Sequence, residues 1–384
     1  MPIKIENKKD CTGCNACYNI CPKNCIIMEN DDCWFQYPKV DETKCINCDL
    51  CIKVCPIKNS CVSSEGNPEV YAAWSNDPDI RYKSTSGGVF TELAKVILYQ
   101  GGYIVGAIYT SDNMVTHGII SLVDDMDKVR QSKYIQSEIG EVYSRIKKLL
   151  DKDHTVLFCG TPCQVAGLKN YLQKQYDSLI TVDFICRGVN SPKAYRYWLD
   201  EVEKLNGSKA TRVWFKYKEN GWKKSPYCTR VDFFNGKHIV TSGEENKFMM
   251  GYLQGNLYMR PSCSDCQFKG AKRSSDITLG DFWKVTGELD DDKGTSMVLI
   301  NSDKGKKLFE VTNPKLSVHR REFEEIATGN VCFDSSVVIN PKSVEFLEKL
   351  GTVPFSKLVG KYTNKHFIKK TIQRVVYFIK RLMK

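Results

Sequence analysis

The sequence reads Cys11-x-x-Cys14-x-x-Cys17-x-x-x-Cys21-Pro22 and then repeats the pattern as Cys45-x-x-Cys48-x-x-Cys51-x-x-x-Cys55-Pro56. In each copy the first three thiolates hold three corners of one iron–sulfide cubane, and the cysteine before proline reaches the cluster of the other copy. The spacing therefore predicts two 4Fe-4S clusters. The first would be held by Cys11, Cys14, Cys17 and Cys55, and the second by Cys45, Cys48, Cys51 and Cys21.

Zinc is the alternative, because paired Cys-x-x-Cys motifs also build zinc ribbons. A zinc site uses four ligands, and eight cysteines in two copies of one spacing, each ending in Cys-Pro, fit cubanes better. We therefore interpret residues 1–62 as a two-cluster ferredoxin domain with an α+β, ferredoxin-like fold. Cys25, Cys33 and Cys61 fall outside the ligand spacing, and we interpret them as structural.

The composition is that of a soluble globular protein, with 42% hydrophobic and 26% charged residues in 384. The eighteen cysteines mostly stand at metal-ligand spacings, which require reduced thiolates. No secretory signal precedes Cys11 and no apolar run reaches membrane-spanning length. These features predict a cytoplasmic protein.

From residue 69 onward, short apolar strands alternate with helices. Strands are predicted at 69–75, 103–109, 155–159, 179–185, 210–217, 227–234, 277–281 and 296–301. Helices are predicted at 89–99 and at 137–150. A third helix is predicted to follow a Gly-Thr-Pro turn and to end at about residue 174, and a fourth is predicted to begin at residue 192. This alternation predicts an α/β domain with a mixed sheet, separated from the ferredoxin unit by a small-residue linker at 60–68. Neither a Rossmann glycine fingerprint nor a P-loop occurs.

Five further cysteines stand where strands of this domain should end, namely Cys159, Cys163, Cys186, Cys263 and Cys266. Side chains at strand ends face the crevice where α/β folds place their sites. Four of the five fit a third cubane. A set of small buried cysteines fits the same scattered spacing.

Short motifs around these cysteines occur together in one family. They are Ser84-Thr85-Ser86-Gly87-Gly88, Gln131-Ser132-Lys133-Tyr134-Ile135-Gln136-Ser137, Gly160-Thr161-Pro162-Cys163-Gln164, Cys186-Arg187-Gly188, Cys263-x-x-Cys266 and Asp276-Ile277-x-x-Gly280-Asp281-Phe282-Trp283. The chain thus resembles the coenzyme F(420) hydrogenase/dehydrogenase beta-subunit family, in the form that carries a fused ferredoxin domain. The resemblance implies an N-terminal part at 69–154 and a C-terminal part at 155–345 of one flavin and iron–sulfur domain.

The resemblance implies that this domain binds FAD and a third 4Fe-4S cluster. By position, Cys163, Cys186, Cys263 and Cys266 would hold that cluster, and Cys159 is a spare or a substitute. The implied activity is electron transfer between a two-electron hydride carrier and one-electron clusters.

The expected flavin-binding residues are Ser86, Gly87, Gly88, Lys133 and Asp281. A glycine turn before a helix offers backbone N–H groups and the helix dipole to a phosphate or a flavin edge. Lysine at 133 would neutralise the diphosphate or the reduced ring, and Asp281 would line the crevice. Taken alone, the same residues also fit an ordinary helix cap, an exposed lysine and a strand-end aspartate.

One position departs from the family pattern. Arg187 follows the central cysteine, where the family often carries histidine. Histidine exchanges protons near neutral pH, whereas arginine stays charged. Two alternatives for the hydride carrier therefore follow from the sequence, a deazaflavin or another reducible substrate.

Residues 361–384 supply eight of the basic residues and no acidic ones, so the net charge of +11 is concentrated there. Their apolar residues recur at helical spacing opposite the basic ones, which predicts a C-terminal amphipathic helix. Such a helix lies either on anionic lipid at the inner face of the membrane or against the core. One basic helix without interleaved aromatics does not indicate nucleic-acid binding.

Together these observations predict an iron–sulfur flavoprotein oxidoreductase. Its expected partners are a redox protein such as ferredoxin and a small-molecule hydride donor or acceptor. The alternative is a flavin-free relay or scaffold subunit of a larger complex.

Overall fold

The computed structural model describes residues 2–59 and 67–363. Cys61 and most of the expected linker, and residues 364–384 of the expected basic helix, lie outside that range. Within it, no helix combines the length and the apolar character that crossing a bilayer requires.

The N-terminal unit, residues 2–59, is built from two short helices and one antiparallel hairpin. Its elements are α1 (Ala16–Ile20), β1 (Ile26–Asn30), β2 (Gln36–Val40) and α2 (Leu50–Lys53). Each helix begins at a left-handed residue inside a cysteine motif, Asn15 (φ 62°) for α1 and Asp49 (φ 58°) for α2. Asparagine and aspartate tolerate this conformation best among residues with a side chain. The residues between the cysteines therefore favour the tight loops that precede α1 and α2.

The strands of the larger unit are β3 (Glu69–Ser75), β4 (Tyr103–Tyr109), β5 (Val115–Ile120), β6 (Val156–Cys159), β7 (Leu179–Phe184), β8 (Ala210–Phe215), β9 (Thr229–Phe233), β10 (His238–Thr241), β11 (Ile277–Asp281), β12 (Ser296–Ile300) and β13 (Leu316–Arg321). Its helices are α3 (Pro78–Lys83), α4 (Val89–Tyr99), α5 (Met126–Val129), α6 (Val142–Leu150), α7 (Pro162–Leu172), α8 (Pro192–Asn206), α9 (Lys247–Leu253), α10 (Asp303–Thr312), α11 (Glu324–Gly329), α12 (Ser343–Glu348) and α13 (Phe355–Thr363). Single 3-10 turns lie at Lys8–Asp10, Val123–Asp125, Ser225–Tyr227, Gly243–Glu245, Pro261–Asp265, Gly287–Leu289 and Asn313–Lys315.

The main sheet has the strand order β13-β3-β12-β11-β7-β6-β4-β5. Its centre, β11-β7-β6-β4, is parallel, and the remaining pairings at both edges are antiparallel. The carboxyl ends of the central strands therefore share one edge, where α/β proteins bind ligands. This confirms the predicted mixed sheet.

Helices cover both faces of the main sheet. Successive residues of a strand point to opposite faces, and here Leu157 joins a cluster with α4 and α10, while Phe158 joins a cluster with α6 and α7. Burial on both faces explains why the central strands are continuously apolar instead of alternating.

The second of these clusters also contains residues of the N-terminal unit, Cys14, Ala16 and Val54. They pack with Val165 and Leu168 of α7. The ferredoxin-type unit therefore shares part of its hydrophobic core with the larger unit. A separate cluster joins α8, α9 and α13 to the three-stranded antiparallel sheet β10-β9-β8.

Most predicted strands occur where the sequence places them, with ends shifted by a few residues. The helix predicted at 137–150 begins only at Val142. The backbone of Glu138 instead pairs with β5, donating to the Val115 carbonyl (2.9 Å) and accepting from the His117 N–H (2.8 Å). These hydrogen bonds hold the segment extended, so helical spacing is overridden by tertiary pairing.

Candidate redox centre

The first predicted ligand set surrounds a small cavity in the N-terminal unit. Its four cysteines all line this cavity, together with apolar side chains such as Ile3 and Met28; the cysteines are Cys11, Cys14, Cys17 and Cys55. The fourth cysteine therefore comes from the second sequence motif. Burial and the neighbouring thiols raise the pKa of Cys14 to about 12.

The second set lines a separate small cavity at the other end of the unit, and its members are Cys21, Cys45, Cys48 and Cys51. Cys25 lines the same cavity, with its Sγ 3.3 Å from that of Cys21. Here Cys48 is exposed, whereas Cys14 and Cys17 of the first set are buried. The second set is thus the more exposed of the two.

The third predicted set is positioned by three different elements. Cys163 lies in the first turn of α7, whose start is fixed by Thr161, since its N–H donates to Oε1 of Gln164 (2.9 Å). Cys186 follows β7. Cys263 lies in the 3-10 turn Pro261–Asp265, and Cys266 ends that turn.

These four side chains converge although they are far apart in sequence. Burial raises the pKa of Cys163 well above its usual value, and the thiols of Cys266, Cys186 and Cys263 add to this shift. A Cβ atom built on Gly188, two residues after Cys186, would lie 3.0 Å from Cβ of Cys263. The fold therefore brings the four cysteines of the set together.

No three His, Cys, Asp or Glu side chains among residues 2–59 and 67–363 approach closely enough to hold a single metal ion. In the first and third sets, the thiols are close enough for their charges to raise one another's pKa. Sets of four cysteine thiolates are the usual ligands of a 4Fe-4S cubane. The donor chemistry thus fits 4Fe-4S clusters.

A large cavity of about 660 Å³ opens at the carboxyl edge of the parallel strands. This volume is in the range of sites for small molecules and cofactors. Cys186 lines the cavity, as do Cys159 and Cys332, whereas the other three members of the third set do not. The third cysteine set and the cavity therefore meet at Cys186.

Four of the five expected flavin residues line this cavity, namely Ser86, Gly88, Lys133 and Asp281. Gly87 lies behind them, and a Cβ on it would come within 2.4 Å of the Ala73 carbonyl oxygen. Gly88 precedes α4 in a left-handed conformation (φ 92°) that favours glycine.

The serines of this turn do not cap α4. The hydroxyl of Ser84 donates to the Ile80 carbonyl (2.8 Å), and that of Ser86 donates to the Thr295 carbonyl (2.8 Å). The helix start faces the cavity without a side-chain cap. A helix N-terminus in this state suits an anionic group.

Several buried polar atoms around the cavity have no hydrogen-bond partner among the described residues. They are Oγ1 of Thr91, Nε of Arg130, Nε of Arg187 and Oδ1 of Asp281. Buried polar groups are rarely left unpaired, because each unmade hydrogen bond costs about 1–3 kcal/mol. Unpaired donors and acceptors on residues that line one cavity fit a polar ligand such as a flavin nucleotide.

Lysines give the cavity its charge. Burial lowers the pKa of Lys133 to about 7, and its Nζ donates to the Arg130 carbonyl (3.1 Å). Lys216 forms an ion pair with Asp281 and lies over the Trp283 ring. Burial opposes the charge of Lys216, but Asp281 and Tyr134 together outweigh that cost, and the pKa of Lys216 is raised.

Sequence reasoning missed His117, Asp183 and Lys216, which also line the cavity. Burial lowers the pKa of His117 to about 4, and its Nδ1 lies 2.7 Å from the Ser137 hydroxyl. Burial raises the pKa of Asp183. The signal for Asp183 was present, since it is a lone acid in an apolar central strand; His117 lies on a strand that was not predicted.

A two-motif cysteine unit joined to a mixed α/β sheet, with a further cysteine set beside a crevice, defines an iron–sulfur redox protein. Comparison with protein families agrees. Residues 10–59 match the 4Fe-4S dicluster domain, residues 70–143 match the coenzyme F(420) hydrogenase/dehydrogenase beta subunit N-term, and residues 153–325 match the C terminus of the same subunit. The chain belongs to this beta-subunit family of oxidoreductases and carries an N-terminal 4Fe-4S domain.

Among curated proteins, the coenzyme F(420)-dependent sulfite reductase of Methanocaldococcus jannaschii is 24% identical over 335 residues. That match covers 84% of this chain and 49% of the relative, so the chain spans about half the length of that protein. An uncharacterized ferredoxin of the same organism is 36% identical over 52 residues, 14% of this chain and 66% of the ferredoxin. A chain of the F(420)-reducing [NiFe] hydrogenase complex from Methanosarcina barkeri is 18% identical with a TM-score of 0.45, covering 82% of this chain and 94% of that one.

Proposed function

We propose that this protein is an iron–sulfur flavoprotein that passes electrons between a hydride carrier and one-electron carriers. FAD would bind in the large cavity, and three 4Fe-4S clusters would connect it to a redox partner. The observation that carries the proposal is the meeting of the third cysteine set with the cavity at Cys186. A bound flavin supplies the conversion between hydride and single electrons.

The residues of the cavity have definable tasks in this proposal. Lys133 and the start of α4 place positive charge where a diphosphate or a reduced ring would lie. Lys216, which is paired with Asp281, adds a buried cation to the cavity lining. Gly88 allows the left-handed turn from which α4 begins, because glycine adopts this conformation without strain.

The order of the relay follows from burial and contact. The second set has an exposed member in Cys48, next to Ile46, which is 56% exposed. The first set packs on α7, which also carries Cys163. We therefore place the redox partner, such as a ferredoxin, at the second cluster, with electrons crossing the first and third clusters on the way to or from the cavity.

The hydride carrier is proposed to be a deazaflavin of the coenzyme F(420) type or another reducible substrate. The names of the relatives support the first choice. Arg187 is the reason to retain the second choice, another reducible substrate. Its Nη2 donates to Oδ1 of Asn256 (2.7 Å) and to the Leu253 carbonyl (3.1 Å) at the cavity wall. It supplies a fixed charge there, and a proton donor would have to be another group.

The cluster assignment is tested by counting iron. Full loading gives about twelve irons per chain if each cubane is complete. Anaerobically reconstituted Cys163→Ser should lose about four of them. The control is Cys228→Ser, which changes a buried cysteine that packs with Trp214 and Tyr217 outside the three cysteine sets, and it should lose none. An iron content of about eight in the unchanged protein would remove the third cluster from the proposal.

The flavin is tested by acid extraction and fluorescence, because the clusters absorb in the same visible range. We expect about one FAD per chain, and reduction of the bound flavin by reduced deazaflavin, reduced ferredoxin or a reduced nicotinamide in a donor screen. A fully iron-loaded protein without extractable flavin would favour the alternative, a relay subunit within a larger complex.

A further inference from the structure

Arg260 is a buried cation between the two units of the protein. Its side chain is fully buried, with 0% exposure, although arginine is seldom buried without a charged partner. It lies directly before the turn Pro261–Asp265, which carries Cys263. None of the functions proposed above requires an arginine at this position.

The guanidinium of Arg260 is directed at the first cysteine set. Its Nε donates to the Cys11 carbonyl (2.9 Å), and its Nη2 lies 3.6 Å from Cys11 Sγ. Nη2 also donates to the Gln36 carbonyl (2.9 Å), and Nη1 donates to Oε1 of Gln136 (2.7 Å). The ring of Tyr37 lies 4.4 Å from its guanidinium carbon.

The loop of the first set is shaped around this side chain. Gly13 has a left-handed conformation (φ 70°), and a Cβ on it would lie 2.9 Å from Nη1 of Arg260 and 2.6 Å from Nε2 of Gln136. Any side chain at residue 13 would therefore displace Arg260 or Gln136. The glycine inside the Cys11-x-x-Cys14 spacing is what allows the contact.

Its polar contacts within the described residues are two carbonyl oxygens, one amide oxygen and the Cys11 thiol, and none is a carboxylate. Taking an unpaired charge out of water costs several kcal/mol. A cubane with four thiolate ligands is an anion, and its ligand Cys11 is already in contact. The predicted first cluster would therefore supply the negative charge that the guanidinium of Arg260 lacks among the described residues.

The main chain of the same residue reaches the third set. The Cys263 N–H donates to the Arg260 carbonyl (3.0 Å), while the Arg260 N–H donates to the Val189 carbonyl (2.9 Å) near Cys186. One residue thus contacts the first set through its side chain and the third set through its backbone.

We propose that Arg260 is the counter-ion of the first cluster and sets its reduction potential, which makes it a positioning and tuning residue at the step between the first and third clusters. The proposal rests on the cluster placement of the proposed function but needs only the first cluster. A buried positive charge favours the more negative, reduced form of a cluster. Charge and hydrogen bonds to the sulfurs are among the protein's means of setting cluster potential.

The test is an anaerobic redox titration of the full-length, reconstituted protein followed by electron paramagnetic resonance. In Arg260→Gln, the reduced-to-oxidised ratio of one cluster should fall at least tenfold at a fixed potential, a shift of about 59 mV to more negative values for one electron. The other clusters should keep their potentials. Arg260→Lys should stay close to the unchanged protein.

A second variant leaves the arginine in place. Gln136→Glu is nearly isosteric and puts a carboxylate on Nη1 of Arg260, so it should shift the same cluster in the same direction. Arg196→Gln, which removes a cation paired with Glu203 on α8, is the control and should shift nothing.

The proposal is overturned if Arg260→Gln and Gln136→Glu both retain iron and leave every potential unchanged, or if all clusters shift together. Loss of iron from Arg260→Lys as well as Arg260→Gln would also overturn it, because a purely structural role would then suffice. If the third cluster or the flavin were absent, the proposed function would be refuted. The shift in the reduction potential of the first cluster in the Arg260 and Gln136 variants would still be expected.

Discussion

At the scale of single residues, the cavity is defined by charges that the fold has taken out of water. Lys133 and Lys216 illustrate two solutions. Lys216 keeps its proton because Asp281 pairs with it, whereas the contacts of Lys133 within residues 2–59 and 67–363 are two backbone carbonyls and the Tyr109 ring. A lysine that loses water contacts without gaining a carboxylate partner gives up its proton more readily, so Lys133 is the group whose charge an anionic ligand would restore.

The lowered pKa of Lys133 predicts a pH dependence of stability. Its pKa is about 7 in the folded protein and about 10.4 in an unfolded chain. Between these values the unfolded chain holds the extra proton, so stability rises with pH, by at most about 1.4 kcal/mol per pH unit. Lys133→Met removes this term, and its stability relative to the unchanged protein should be highest near pH 7 and decline toward pH 10.

Urea unfolding of flavin-free protein at several pH values measures this difference. Lys152→Met, at an exposed lysine, serves as the control and should follow the unchanged protein throughout. Parallel curves for Lys133→Met and the unchanged protein across this window would contradict the expectation.

At the scale of elements, α7 is the junction between the ferredoxin-type unit and the sheet. It starts at the third cysteine set with Cys163, and one turn later Gly167 faces the first set. A Cβ on Gly167 would lie 3.0 Å from both Cβ and Sγ of Cys14. The glycine therefore permits the close approach of the first cysteine set to the helix.

Two glycine-to-alanine changes in helices should have opposite effects. Gly360 in α13 has open space around it, so Gly360→Ala should stabilise the protein by up to about 1 kcal/mol through helix propensity. Gly167→Ala should instead destabilise it by about 1–3 kcal/mol, because the new methyl group presses on a cluster ligand that cannot move away.

Thermal unfolding and iron content under anaerobic conditions check both variants. We also expect Gly167→Ala to change the paramagnetic resonance spectrum of one cluster. A stabilising effect of Gly167→Ala equal to that of Gly360→Ala would show that Cys14 does not pack on α7 as described.

At the scale of the whole molecule, most of the net positive charge lies in the last 24 residues of the sequence. Residues 361–384 carry eight lysines and arginines, while the rest of the chain is nearly balanced. The described helix α13 buries Leu358 and Tyr362 against the core, so a truncation should keep it and end after Thr363.

The amphipathic pattern of the tail predicts binding to anionic lipid. The full chain should sediment with vesicles containing phosphatidylserine, and the chain ending at Thr363 should stay in the supernatant. Neutral vesicles are the control, and added salt should weaken binding because it screens the charges. Equal sedimentation of both chains would exclude the tail as an anchor.

Local patterns in the sequence predict the parts of the fold that depend on neighbours in the chain. The cysteine repeats predict the two small cavities, each lined by three cysteines of one repeat and the fourth cysteine of the other, and apolar runs locate most central strands. Contacts between distant segments are not encoded in any local spacing. The contact of Arg260 with Cys11, the packing of Gly167 on Cys14 and the extended path at Glu138 all arise from tertiary packing, which outweighs local propensity.

The shared core between Cys14, Val54 and α7 has a kinetic consequence. In the proposed electron relay, this shared core holds the N-terminal unit against α7, so we expect the distances between the internal centres to stay constant. Thickening the solvent with glycerol should then slow only the encounter with an external partner. Flash-induced transfer between the internal centres should keep its rate at every viscosity.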